Sequence, residues 1–393
     1  MVGAGVDYRG KRFVTHTTLH HRNSAVYTLT GWQFVFMISV IGLVLAGLLL
    51  NAHLVLSIIV AVLSVVYFAD AVFSFFVIVK SLHFPVEMEF SDGEFQELNS
   101  KTLPLYTILC PLYREAKILL QFVKAMDSLN WPTNRLEVLL LLEQNDEETI
   151  DAVKKMNLPA HFKILIVPHS LPKTKPKACN YGLAHARGSL IVIYDAEDKP
   201  EPDQLKKAYL GFAKSDHRVA CLQAKLNYYN PHHNFLTMLF TAEYSLWFDV
   251  ILPGFQSINT AIPLGGTSNH FRTDVLRKLE GWDPFNVTED ADLGIRLFKS
   301  GYKTAIIDSV TYEEANSNIR NWIRQRSRWI KGYFQTYLVH TRSPLNFVKK
   351  HGFHTLFFHL VMGARMSSPP FFGQWFVNGL LVKSHPKFLW RHL

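Results

Sequence analysis

Two long, almost uncharged apolar runs constrain this chain more than any other feature. Residues 31–50 carry no charged side chain, and residues 54–79 carry only Asp70. Each run is long enough to cross about 30 Å of hydrocarbon as an α-helix. Only Asn51, Ala52 and His53 separate them, so the two spans must form a tight hairpin. Arg9, Lys11, Arg12 and Arg22 precede the first run and Lys80 follows the second. The positive-inside bias therefore predicts both ends of the hairpin on the cytoplasmic side. The first run starts too far in and continues too long for a cleaved signal peptide. Asp70 reads either as an intramembrane proton or ligand group, or as a residue facing other helices or the interface.

The rest of the chain has a different character. From about residue 85 to 320 charge and proline rise, and short apolar runs alternate with amphipathic stretches. Leu105–Cys110, Leu136–Leu142, Phe162–Val167, Leu190–Tyr194 and Val219–Gln223 read as buried strands. Lys117–Leu129, Glu147–Met156 and Ala178–Ala186 read as the helices between them. Such alternation predicts an α/β domain with a mostly parallel sheet covered on both faces. With 393 residues and a formal net charge of +9, the chain suits anionic lipid or a phosphorylated substrate. Its basic residues form no long block, which disfavours nucleic acid as a partner. Cys110, Cys179 and Cys221 lie far apart without CxxC spacing, so neither a disulfide nor a zinc site is expected.

Strand ends carry the chemistry. Ser189–Ile193 is an apolar run followed by Tyr194-Asp-Ala-Glu-Asp198, which presents Asp195, Glu197 and Asp198 at the carboxyl edge of the sheet. Ligands of open α/β sheets bind at that edge. Three carboxylates this close repel one another unless a cation joins them, and oxygen ligands suit Mg²⁺ or Mn²⁺. Short acidic runs are more often solvated turns, so companions must decide. The loop after the first strand holds Tyr113 and Glu115, the next holds Glu143, and the third holds Lys175 and Lys177. Together they describe a pocket for a nucleoside diphosphate: a carboxylate for ribose or base, ammonium groups for phosphate, carboxylates for a metal. Neither a GxGxxG nor a GxxxxGK[ST] cradle is present.

Two further groups follow. Thr288-Glu289-Asp290 opens a helix over Ala291–Ser300. Thr288 suits an N-cap and the two acids suit a first turn; alternatively Asp290 faces the pocket as a general base. Gln325, Arg328 and Trp329 share one face of a helix over Ile319–Leu338 by their i, i+3, i+4 spacing. An amide, a guanidinium and an indole on one face suit diphosphate and sugar. The other face, with Arg324, Arg326 and Lys331, suits lipid headgroups.

With these motifs in order, residues 30–340 resemble a membrane-embedded family 2 glycosyltransferase of the cellulose-synthase-like kind. The resemblance rests on the hairpin, Pro-x-Tyr-x-Glu, Lys-Ala-x-Asn, a D-x-D-type motif, Gly265-Gly266-Thr267, T-E-D and Q-x-x-R-W. It implies a GT-A fold and an inverting single displacement with Asp290 as base beside Glu289 and Thr288. Asp195 and Glu197 fill the D-x-D positions, with Asp198 sharing the metal. Glu in the second position, and Glu143 for a more usual Asp, depart from the family pattern. Tyr113, Glu115 and Glu143 fall on the nucleoside, Lys177 on phosphate, and Gln325, Arg328 and Trp329 on acceptor and diphosphate. Gly266, Thr267 and Ser268 fall near the acceptor.

The resemblance also implies partners and place. They are a nucleotide-sugar donor such as UDP-glucose, a growing β-linked polysaccharide as acceptor, the lipid bilayer, and a partner subunit for export. Q-x-x-R-W implies repeated, processive addition to one polymer. The place is the bacterial inner membrane with the catalytic domain cytoplasmic. The expected organisation is a basic segment at 1–29, a transmembrane hairpin at 30–80, the GT-A domain at 85–318, and Q-x-x-R-W and interfacial helices at 319–352. A broken span or re-entrant segment at 353–393, shorter than the family's usual membrane region, completes it. Two alternatives stand beside polymer synthesis. One is transfer of a single sugar to a polyprenyl-phosphate carrier; the other is an idle receptor or scaffold that kept the fold.

Overall fold

The computed structural model describes residues 6–8, 11–13, 19–83, 86–98, 102–352 and 354. The expected segment at 353–393 therefore lies outside the described residues, apart from residue 354. The described residues form two compact units, one of those up to Thr28 with those of Ile78–Val339, the other of Leu29–Val77 with those from His340 onward.

The apolar runs form one helical stretch, α1 (Gly31–His83), interrupted at Asn51 (φ −155°, ψ 90°). Eight residues of continuous helix would rise about 12 Å. Here a Cβ placed on Gly47 would stand 2.8 Å from the Val55 side chain, eight positions on. The chain thus reverses at Asn51, whose Oδ1 accepts from the Leu54 amide at 3.0 Å and starts the returning helix. Most large apolar side chains of both arms are exposed, while Asp70 is buried. Among the described residues, Gly31–His83 and Phe235–Ser257 are long and apolar enough to cross a membrane. The latter packs within the sheet-containing unit: Phe248, Ile251, Leu252 and Phe255 are buried. Its acids find partners there, Glu243 with Arg326 and Asp249 with Lys225.

That unit is built on an eight-stranded sheet. Its strands are β1 (Tyr106–Leu112), β2 (Leu136–Glu143), β3 (Phe162–Val167), β4 (Leu190–Ile193), β5 (Lys199–Pro200), β6 (Val219–Tyr228), β7 (Asn269–Arg272) and β8 (Lys303–Glu313). The order is β3-β2-β1-β4-β7-β6-β8-β5. Strands β1 to β4 run parallel, as do β6 and β8. The short β7 runs antiparallel between β4 and β6, and β5 antiparallel on β8. This is the mostly parallel α/β sheet that the strand–helix alternation predicts, with β5 and β7 as its antiparallel members.

Successive strand residues point to opposite faces, and both faces are dry. Tyr106, Ile108, Val138 and Leu140 pack with Phe122, Met126, Leu205 and Phe212 on one side. Leu109, Leu139, Leu141 and Ile191 pack with Tyr181, Trp282, Leu293 and Leu297 on the other. The flanking helices include α2 (Leu119–Asp127), α3 (Glu147–Lys154), α4 (Lys175–His185), α5 (Gln204–Lys214), α6 (Glu289–Lys299) and α7 (Ile319–His340). Because β1 to β4 are parallel, the loops after them open on one edge. Strand β5 follows Asp198 immediately, and its Lys199 pairs with Tyr312 of β8.

Candidate active site

The carboxylates after β4 do not stand free. Asp198 is buried; its Oδ2 accepts from the Asp195 amide at 2.6 Å and from the Thr267 hydroxyl at 2.5 Å. Its Oδ1 is buried and has no hydrogen-bond partner. Asp195 receives the Lys175 ammonium, with Nζ 2.5 Å from Oδ1 and 2.7 Å from Oδ2. The same ammonium donates to the Gly266 carbonyl at 2.7 Å. A Cβ placed on Gly266 would lie 3.5 Å from Asp290 Oδ2. Gly266 is thus the point where the strand-end acids and the T-E-D helix meet, and its lack of a side chain leaves that space open.

Charge crowding marks this place. Glu197 has its pKa pushed up to about 7, first by desolvation and then by Asp195. Burial and Asp195 push Asp198 well above the usual range. Burial alone would lower the Lys175 pKa, but the Asp195 and Glu289 carboxylates raise it. Glu289 and Asp290 are both pushed up, burial first; Asp290 is the next cause for Glu289, whereas backbone donors hold Asp290 back. Two buried acids this close disfavour being ionised together, and their raised pKa values mark the T-E-D turn as a crowded site.

The T-E-D triplet is held tightly. Thr288 occupies the N-cap position of α6 but makes no side-chain cap bond. Its hydroxyl lies instead 3.5 Å from Asn286 Oδ1 and 3.4 Å from the Thr336 hydroxyl of α7. Asp290 Oδ1 accepts from the Ala291 amide at 2.7 Å. Gly332 of α7 lies so close that a Cβ there would stand 2.5–2.7 Å from Thr288 Cγ2, Oγ1 and N.

Of the residues expected on the nucleoside, Tyr113 and Glu115 follow β1 and Glu143 ends β2. Tyr113 is exposed, with Lys173 Nζ 4.9 Å and the Arg114 guanidinium 5.2 Å from its ring centre. Asp146 caps α3 through the Thr149 amide and also accepts from the Arg114 amide, which fixes this loop. The Glu115 pKa is raised by burial and then by Asp195, which puts it on the same cluster. Glu143 and Lys177 are both buried and paired at 2.7 Å. Lys177, expected on phosphate, thus spends its ammonium on Glu143; Lys175 is the cation beside the strand-end acids.

On α7, Gln325 Oε1 accepts from Asn316 at 2.8 Å. Trp329 joins an aromatic cluster, 6.1 Å from Phe240 and 6.4 Å from Tyr244. Arg328 is exposed. Its neighbour Arg326, which the helical spacing assigns to lipid, is instead buried, paired with Glu243, and stacked over Phe240, Trp322 and Trp329. Tyr228 of this cluster sits in register with Glu313 of β8. Glu313 follows Tyr312, which pairs with Lys199, so it stands beside Asp198. Burial and then Asp198, Asp195 and Glu197 raise its pKa. Glu313 therefore joins the acidic group to the aromatic one. No local signal marks it in the sequence, because Lys303–Glu313 mixes polar and apolar residues.

Residues 190–382 match the family model described as glycosyl transferase family group 2. Over these residues the chain is similar to family 2 glycosyltransferases. A probable glycosyltransferase of Bacillus subtilis, YdaM, is 28% identical over 237 residues, covering 60% of this chain and 56% of that protein. A probable glucomannan 4-beta-mannosyltransferase 14 of Arabidopsis thaliana is 26% identical over 289 residues, covering 69% of this chain and 54% of that protein. The chain thus spans about half the length of these relatives. Among solved structures, the mannosyltransferase PcManGT of Pyrobaculum calidifontis, in complex with GDP-Man and Mn²⁺, aligns over 83% of this chain and 94% of its own. Its sequence identity is 17% and its TM-score 0.48.

Among the described residues no three acids, imidazoles or thiols form a ready cage for an ion. The donor set nonetheless fits a hard divalent cation. Asp195, Glu197 and Asp198 supply strand-end oxygens, and the orphaned Asp198 Oδ1 is a buried acceptor without a donor.

Proposed function

We propose that this chain moves a hexosyl group from a nucleoside diphosphate sugar to an acceptor hydroxyl by single displacement with inversion. The observation that carries the reading is the meeting at Gly266 of the Asp290 carboxylate with the Lys175–Asp195 pair. A base and a phosphate-neutralising cation a few ångströms apart are what one-step transfer needs.

In this reading Asp290 takes the proton from the acceptor hydroxyl as that oxygen attacks the anomeric carbon. Lys175 offsets the charge growing on the departing diphosphate. Tyr113, Glu115 and Glu143 receive the nucleoside, with Lys177 fixing Glu143 from below. Gln325, Arg328 and Trp329 face acceptor and diphosphate, the indole packing on a sugar ring. Asp195, Glu197 and Asp198 would hold Mg²⁺ or Mn²⁺, which supplies further neutralisation of the diphosphate when bound. The relatives named as mannosyltransferases support a hexose donor, and the exposed apolar hairpin supports a membrane-held enzyme making a β-linked polysaccharide.

The test is nucleoside diphosphate release by purified protein in nanodiscs with Mg²⁺ or Mn²⁺ and a donor panel including UDP-glucose and GDP-mannose. Release with a polymeric product is expected, and it should stop in excess chelator. Release with only a one-sugar lipid product would replace polymer synthesis by carrier glycosylation. No release from folded protein with any donor would overturn the reading.

A further inference from the structure

The loop that delivers the T-E-D triplet is supported from three sides. On the α4 side, Asn180 Oδ1 accepts from the Trp282 amide at 2.9 Å, and its Nδ2 donates to the Trp282 carbonyl at 2.8 Å. On the α7 side, Asn286 Nδ2 donates to the Thr336 hydroxyl at 2.8 Å, and Gly332 abuts Thr288. The third support is the segment just before the first apolar run. The Ser24 hydroxyl donates to Asp283 Oδ1 at 3.0 Å, and the Ala25 amide donates to Asp283 Oδ2 at 2.6 Å. These bonds join residues 259 and 258 positions apart.

The seat is well built. Leu19, Ser24, Ala25 and Asp283 are all buried. Ser24 Oγ also accepts from the Val26 amide at 3.2 Å, which turns the backbone and orients the hydroxyl. Asp283 Oδ1 accepts in addition from the Phe285 amide at 3.1 Å, so the carboxylate organises its own loop as well. A carboxylate held by a hydroxyl and two backbone amides is a firm joint, since bonds to a charged acceptor are the stronger ones.

We propose that Asp283 is a positioning residue for the base Asp290, and that residues 19–28 act through it as a strut. The segment that leads directly into the apolar hairpin thereby fixes the loop from which Asp290 projects. This rests on the reading of Asp290 as base. Asp283 itself touches no reacting group; it sets where the start of α6 stands.

The experiment uses the full chain in nanodiscs with metal and the active donor, comparing Ser24→Ala, Ser24→Thr, Asp283→Ala and Asp290→Asn. Three readouts are taken: kcat against donor KM, hydrogen exchange of residues 283–292, and the melting temperature. Asp283→Ala should lower kcat between about tenfold and 10²-fold, since displacement of a reacting group by about 1 Å costs up to that much. Donor KM should stay within about twofold, because Lys175 and Asp195 keep their contacts. Ser24→Ala should move kcat and exchange the same way by less, and Ser24→Thr, which keeps the hydroxyl, should restore both. Wild-type kcat and exchange in Ser24→Ala and Asp283→Ala, with Asp290→Asn inactive, would overturn the strut alone. An active Asp290→Asn would overturn the reading of the base, and the strut with it.

Discussion

Replacing Gly332 by alanine is the sharpest mechanical test of the site. The added Cβ would sit 2.5–2.7 Å from three atoms of Thr288, while ordinary contact begins at 3.4 Å. The gap to be opened is therefore 3.4 − 2.5, or 0.9 Å. One of the three atoms is the Thr288 backbone nitrogen, so rotating the threonine side chain cannot relieve the clash. Either α7 or the loop must move, and Thr288 is two residues from Asp290. A shift of about 1 Å at a reacting group costs about 10²-fold in rate, equivalent to about 2.7 kcal/mol of barrier. Stability should change less: overpacking costs about 1–3 kcal/mol, and alanine recovers about 0.5–1 kcal/mol of helix propensity. The assay is steady-state nucleoside diphosphate release beside a thermal melt. The expectation is kcat down about 10²-fold with donor binding retained. A kcat within about threefold of wild type would refute the claim that α7 sets the position of the T-E-D loop.

Other outcomes follow from the same geometry. Lys177→Met should cost about 3–5 kcal/mol in a melt, because it strands the buried Glu143 charge, and adding Glu143→Gln should recover part of that loss. Activity should fall on acidification near pH 6, since the pKa of Asp290 is raised to about 6 and protonation removes its basic lone pair. An acid limb at the ordinary carboxylate value in a kcat–pH profile would contradict this. Arg326→Ala removes the Glu243 pair and the cation over Trp329, so acceptor KM should rise with donor KM unchanged.

Much of the architecture was legible because it is written in hydrophobic runs. The entirely buried β2 is apolar apart from Glu137 and Glu143, and the strand-end loops of parallel β1 to β4 had to share an edge. The unreadable parts are those where tertiary partners override local pattern. Asn269-His-Phe-Arg272 contains no apolar run, yet it forms a central strand. Asn269 Nδ2 donates to the Gly265 carbonyl, and His270 Nδ1 meets the Tyr106 hydroxyl at 2.7 Å. Likewise, Lys175 and Lys177 carry no local hint of which is spent internally; burial put Lys177 on Glu143 and left Lys175 for the pocket. The Asp283 anchor joins residues 259 positions apart, which no local signal encodes.

The measurement closest to the central claim is donor turnover by Asp290→Asn, with donor binding read in parallel on the same preparation. Asparagine keeps the side-chain shape and the oxygen that accepts from the Ala291 amide, but it cannot take a proton from an attacking hydroxyl. The account predicts that nucleoside diphosphate release falls by at least about 10²-fold while donor affinity is kept. Turnover close to wild type would contradict the assignment of Asp290 as the base and the mechanism built on it.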